Sequence, residues 1–241
     1  MKGGAQFPVR LRYSKHGKVR WTSHRDVARA LERAFRVTQL PLAFTEGFSP
    51  RPKVSFGLAL PTGNESNAEY LDMELVQAVD LDAMCGALTE ALPEGMAVTG
   101  AAPLSERAPA LQEAVTAVNW LVDVFDEQGE AVDAITLERC VDAALSAPAL
   151  PAIRRRKGRE EEVDLRPVIR ALSVASDHPS AVELELQTQP RSAKPSEILA
   201  AIGGLGEARA LRTHQWIERD GARCEPLDAD TRPYAPQVRA S

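Results

Sequence analysis

The sequence predicts an α+β protein made of two successive β-α-β-β-α-β units. Three features lead there: short segments in which apolar and polar residues alternate, apolar stripes at helical spacing between them, and turn residues at the junctions. With 241 residues and 44% hydrophobic content, the chain can supply one large core or two smaller ones.

Val9, Leu11 and Tyr13 alternate with Arg10, Arg12 and Ser14, the period of a strand with one buried face. His16-Gly17 marks a turn, beyond which Val19 and Trp21 continue the alternation. Ser23 then opens a helix: its hydroxyl suits a free backbone N–H, and Asp26 three residues on favours the positive end of the helix dipole. The segment LAFTEGFSPRPKVSFGLAL reads as extended, with Val54, Phe56, Leu58 and Leu60 on one face. After the turn PTGNES, Leu71, Met73 and Leu75 alternate with Tyr70, Asp72 and Glu74. Leu81, Met84, Cys85, Leu88 and Leu92 recur at helical spacing, Pro93-Glu94-Gly95 ends that helix, and MAVTGA is the last strand of the first unit.

The same order returns. NWLVDVFD is a strand, Leu137, Cys140, Val141, Ala144 and Leu145 form a helical stripe, and Pro151 to Ser176 holds extended segments around a basic loop. AVELELQT alternates as a strand, KPSEILAAIGG is a helix stopped by Gly203-Gly204, and ALRTHQWIE is the final strand. The expectation is therefore two tandem ferredoxin-like (βαββαβ) units with antiparallel sheets. A basic unit spans residues 1–103 and an acidic unit 104–227, joined by the segment APLSERAPALQEA, and 228–241 forms a flexible tail.

The net charge of -5 conceals a sharp asymmetry. Residues 1–60 hold twelve Lys/Arg against three Asp/Glu, a net of +9, which leaves 17 against 31, or -14, for residues 61–241. A cationic pole of this kind suits a polyanionic partner or an acidic protein surface. On a helical wheel Val27, Ala30, Leu31, Ala34 and Phe35 share one side, while Arg25, Arg29, Arg33 and Arg36 share the other. Only Glu32 relieves their mutual repulsion.

Arg10, Arg12, Lys15, Lys18, Arg20, Arg51 and Lys53 extend the set of residue types that bind phosphate, because the guanidinium fork and the mobile ammonium both suit phosphate oxygens. Trp21, Phe48 and Tyr70 are expected in the core or at its edge, with stacking on unpaired bases as the alternative. The sheet face away from the helices is expected to be free for such contacts, which favours RNA over duplex DNA. A second basic run, IRRRKGRE from Ile153 to Glu160, is followed at once by Glu161, Glu162 and Asp164 and reads as a self-compensated surface loop, with a second RNA contact as the alternative.

The combination RLRYSKHGKVRWTSHRDVARALERAFR with LPLAFTEGFSPRPKVSFGLALPTGNESNAEYLDMEL, together with RKGREEEVDLRPVIR further on, resembles the radical-SAM-linked protein family, domain of unknown function 2344. The motif falls here on Ser23, His24, Asp26, Gly47, Phe48, Pro50, Pro52, Gly63, Glu69 and Tyr70. In that family the domain is fused to, or encoded beside, a radical SAM enzyme, often near ribosomal-protein and ribonuclease genes. The resemblance thus implies an accessory role near RNA or ribosome metabolism. The chain lacks the CxxxCxxC cluster motif of such enzymes, so it does not itself begin radical chemistry.

His24 at the first turn of the basic helix, near His16 and Lys15, is the one candidate for metal-independent cleavage of RNA. His178 and His214 have no partners at metal-ligand spacing, and Cys85, Cys140 and Cys224 form no ligand pattern, so neither metal nor cofactor is expected. With no apolar run long enough to span a bilayer and no leader-like start, the expected location is the cytoplasm. The leading expectation is a non-catalytic RNA-binding partner of a radical SAM enzyme. The alternatives are a subunit that docks the enzyme or its peptide substrate, and an endoribonuclease using His24.

Overall fold

The computed structural model describes residues 6–105, 108–156, 158–190 and 192–232. The chain is α+β, its strand pairing mostly antiparallel, with five α-helices among the described residues. In chain order the first elements are β1 (Phe7–Lys15), α1 (His24–Val37), β2 (Val54–Phe56), β3 (Glu65–Leu75), α2 (Leu81–Ala91), β4 (Met96–Pro103) and α3 (Leu111–Ala114). There follow β5 (Ala117–Phe125), α4 (Ala134–Ser146), β6 (Pro151–Arg156), β7 (Arg159–Asp164), β8 (Ile169–Ala175), β9 (His178–Gln187), α5 (Pro195–Gly203), β10 (Gly206–Arg219) and β11 (Ala222–Cys224). The chain divides into two compact units, Met1–Val115 with Trp216–Ser241, and Thr116–Gln215.

In the first unit the strands lie in the order β4-β1-β3, with β2 also on β3, and these pairs are antiparallel. The register sets Leu11 opposite Leu71, while Arg12 faces Tyr70 and Arg10 faces Asp72. Alternation therefore sends the leucines to one face of the sheet and the polar residues to the other. On the apolar face Val9, Leu11, Leu71, Met73 and Leu75 pack against Val27, Leu31, Ala34 and Phe35 of α1 and Met84 and Leu88 of α2. Burying each Leu or Phe side chain stabilises the unit by about 2 kcal/mol. Asp80 starts α2 by accepting from the Ala83 N–H at 3.0 Å.

The opposite face is not free, which corrects the expectation of an open sheet. The segment after β11 crosses it: the Pro226 carbonyl accepts from Arg10 at 3.1 Å, and Glu225 pairs with Arg12 at 2.9 Å. Leu227 stands where Gly100 has no side chain, since a Cβ there would lie 2.9 Å from its Cδ1. Tyr70 is consequently buried as deeply as the leucines.

Val19 and Trp21 do not extend β1. Residues Gly17–Trp21 wind into a 3-10 turn, begun by Gly17 at φ +65°. Two side chains hold it: the Glu65 carboxylate accepts from the Gly17 N–H at 2.8 Å, and the Lys15 ammonium donates to the carbonyls of Arg20 and Thr22, both at 3.1 Å. The region expected to be extended from Leu42 to Leu60 keeps only three residues of strand, because Pro50, Pro52 and Gly47 at φ +124° interrupt the ladder.

In the second unit the order is β10-β5-β9-β8, and β6 and β7 form a separate antiparallel hairpin between α4 and β8. Trp120, Val122 and Val124 of β5 are buried, as are Leu137, Val141 and Ala144 of α4 and Ile198, Leu199 and Ile202 of α5. Asp133 caps α4 by accepting from the Thr136 N–H at 3.0 Å, and α5 ends on Gly204 in the left-handed region at φ +68°. Among the described residues no helix is long and apolar enough to cross a membrane.

A candidate nucleic-acid interface

The amphipathic division of α1 decides which side chains reach solvent. Ser23 caps the helix, its Oγ accepting from the Asp26 N–H at 3.2 Å and donating to the Asp26 carboxylate at 2.7 Å. With Val27, Leu31, Ala34 and Phe35 buried, Arg25, Arg29, Arg33 and Arg36 all stand exposed on the far side. Arg29 pairs with Asp26 in the first turn at 3.1 Å. Among the described residues no carboxylate comes within ion-pair distance of Arg25, Arg33 or Arg36. Arg25, Arg29 and Arg33 follow one another at intervals of four, a spacing that destabilises a helix by about 0.2–0.5 kcal/mol per like-charged pair. The ridge is thus a standing electrostatic cost within the protein.

Of the other expected phosphate ligands, Lys18 and Arg51 are exposed, and Arg20 is half-buried with its guanidinium 5.0 Å above the Trp21 ring. Lys53 is half-buried and held by Glu74 at 2.6 Å. The remaining three face inward. Arg10 is fully buried against Asp72, Arg12 joins Glu225 and the Asn67 carbonyl, and Lys15 holds the 3-10 turn. Burial lowers the Lys15 pKa, partly offset by nearby Glu69. Arg10 and Arg12 are structural because β1 carries them on a face that the C-terminal segment covers, and Lys15 because it ties the 3-10 turn to the end of β1.

The aromatic residues separate in the same way. Trp21 is 64% exposed and lies against Gly63, where a Cβ would fall 2.9 Å from the ring. Phe48 is wholly exposed in the loop before β2. Tyr70 is buried, which pushes its phenol pKa up and withdraws it from any stacking role. His24 sits edge-on to Phe56, ring centroids 5.1 Å apart. The Lys15 ammonium, nine residues before it, donates to two backbone carbonyls. Of the remaining motif positions, Glu69 is buried, Pro52 bridges to Phe44, and Gly47, Pro50 and Gly63 shape the loops on either side of β2.

Between the last turn of α1 and that loop lies a cleft of about 360 Å³ lined by Phe35, Leu40, Leu42, Phe44 and Pro52, with Glu32, Arg36 and Gln39 also lining it. Phe44 and Gln39 carry no charge and sit outside the arginine pattern, so the charge-based reading of the sequence passes over them.

In the second unit two arginines of the basic run are ion-paired, one of them with a carboxylate of α5. Arg154 makes two bonds to Glu197, at 2.7 and 3.0 Å, and one to the Ser192 carbonyl, while Arg155 meets Glu160 at 2.8 Å. Lys157 lies outside the described residues. Among the described residues no three His, Cys, Asp or Glu side chains gather as metal ligands would. The three cysteines are free and half-buried, and burial raises the pKa values of Cys85 and Cys224.

Fold and surface together define an α+β protein whose helix α1 carries four exposed arginines, with Lys18 exposed in the turn before it and Arg51 in the loop after it. The model of a bacterial family, described as an uncharacterized protein conserved in bacteria (DUF2344), matches residues 9–195, and the chain belongs to that family. Comparison with curated proteins gives no match.

Proposed function

We propose that this protein is a non-catalytic, cytoplasmic RNA-binding accessory protein that works with a radical SAM enzyme in tRNA or rRNA modification or processing. The carrying observation is the set of exposed guanidinium groups of Arg25, Arg33 and Arg36 on α1, which have no ion-pair partner among the described residues. An extended polyanion along the helix relieves their repulsion and releases counterions. The enzyme partnership rests on the sequence resemblance alone.

Each unit places its strands in the order fourth, first, third, second once the β6–β7 hairpin is set aside. That order supports reading the chain as two ferredoxin-like units in tandem. The covered sheet face of the first unit moves the RNA surface from the sheet, where RNA-recognition modules have it, to the helix.

The test is the salt dependence of binding to single-stranded RNA. Replacing Arg25, Arg29, Arg33 and Arg36 with Ala should reduce the magnitude of the log K against log salt slope by about 3, since each phosphate contact on a single strand contributes about 0.7. An unchanged slope removes the ridge from the interface. Binding of an acidic protein and no nucleic acid would instead support the docking-subunit reading.

A further inference from the structure

α1 closes on a strained residue. Beyond its C-cap Thr38, Gln39 occupies the left-handed region at φ +52°, and the Leu40 N–H bonds back to the Phe35 carbonyl at 2.9 Å. At this point helices ordinarily carry Gly, or sometimes Asn, because a side chain with a Cβ is disfavoured there. The Gln39 side chain makes no hydrogen bond to any described residue, so it does not itself offset the cost of this backbone conformation. It lines the cleft at the foot of the arginine ridge. Strain that persists without an internal partner points to a use for the side chain.

Resting on the RNA reading above, we propose that this cleft takes one unpaired base, bearing an exocyclic amine, from the strand that lies along the ridge. The walls suit a base: Phe44 is 54% exposed and offers a ring face, and Leu42 and Pro52 supply apolar contact. The polar groups suit its edge. Glu32 has no ion-pair partner among the described residues even though Arg36 stands one turn away, so its carboxylate is a free acceptor for an amine. Gln39 adds one acceptor and two donors for the neighbouring ring positions. Glu32 also repels a phosphate, so the cleft receives the base while Arg33 outside it and Arg36 in its lining hold the backbone. Uracil presents carbonyl oxygens in place of an amine and is disfavoured beside Glu32. An apolar protein anchor would fill the same walls but leave Glu32 and Gln39 without a function.

Fluorescence anisotropy with short single-stranded oligoadenylate, oligouridylate of equal length, and oligoadenylate carrying abasic sites tests this directly. The wild-type protein should bind oligoadenylate about tenfold more tightly than either other strand, the contribution of one stacked and hydrogen-bonded base. Gln39→Gly should melt at a higher temperature than wild type and yet lose most of this preference, while keeping the salt slope set by the ridge. Phe44→Ala should lose the preference as well. Equal affinity for all three strands, or a preference that survives Gln39→Gly, overturns the cleft and leaves the ridge intact. A less stable Gln39→Gly protein overturns it too, by showing that the amide serves the fold. Failure to bind any strand overturns both readings together.

Discussion

Arg10 and Asp72 face each other on neighbouring strands as a two-pronged pair, Nε to Oδ1 at 2.7 Å and Nη2 to Oδ2 at 2.8 Å. A third bond ties Arg10 to the Pro226 carbonyl, so this one side chain fastens the C-terminal segment to the sheet. Arg10 is fully buried, whereas the Asp72 side chain keeps 22% of its exposure. Arg10→Ala leaves a carboxylate without its counter-charge and a carbonyl without its donor, a loss expected to cost about 3 kcal/mol in urea unfolding. The folded variant should bind RNA as wild type does. A drop in affinity like that of a ridge substitution would place Arg10 at the interface after all.

Gly63 and Trp21 make a second dependence visible. Gly63 has φ +95°, and its N–H bonds to the Arg20 carbonyl at 2.8 Å, which draws the backbone against the indole. Gly63→Ala meets two obstacles at once, a disfavoured φ and a Cβ only 2.9 Å from the ring. The expected result is a loss of about 1–2 kcal/mol and a displaced indole. Subtracting the emission of a Trp21→Phe control from wild-type and variant spectra isolates Trp21 from the other two tryptophans. An unshifted Trp21 spectrum would show that the ring does not rest on this glycine.

Much of the fold was legible because α1, α2, β3 and β9 carry a clean apolar period, and Ser23 and Gly204 mark ends by local chemistry alone. Val19 and Trp21 misled because two apolar residues at alternate positions also fit a 3-10 turn, and what selects the turn is Glu65, almost fifty residues away. The arginine ridge was readable for the same reason as its helix: period fixes which face is wet. The burial of Arg10 and the half-burial of Arg12 were not readable. Their strand shows which face they share, but what covers that face arrives from residues 225–227, and no local pattern announces it. Gln39 carries no signal in the sequence, because its left-handed φ is a property of the folded helix end.

The start of α1 supplies a test in which stability and binding should move in opposite directions. The Asp26 carboxyl is held below the ordinary value of 3.8, first by the Ser23 hydroxyl and further by Arg29 and Arg25. A depressed carboxyl stabilises the fold fully above its unfolded value, and that contribution disappears as pH falls through the folded value. Asp26→Asn should therefore lower Tm at neutral pH, and the gap to wild type should close as the pH drops below 3.8. Asp133 and Asp164, lowered by bonds from Thr136 and from the Leu150 and Arg166 amides, continue to titrate in both proteins, so each still loses stability in acid. At neutral pH the same substitution releases Arg29 from its 3.1 Å pair and removes the only anion in the first turn. Affinity for single-stranded RNA should rise by about threefold at low salt, the scale of one exposed ion pair. A Tm gap that stays constant with pH would dissociate the cap from ionisation, and weaker RNA binding would mean that the ridge does not face phosphates.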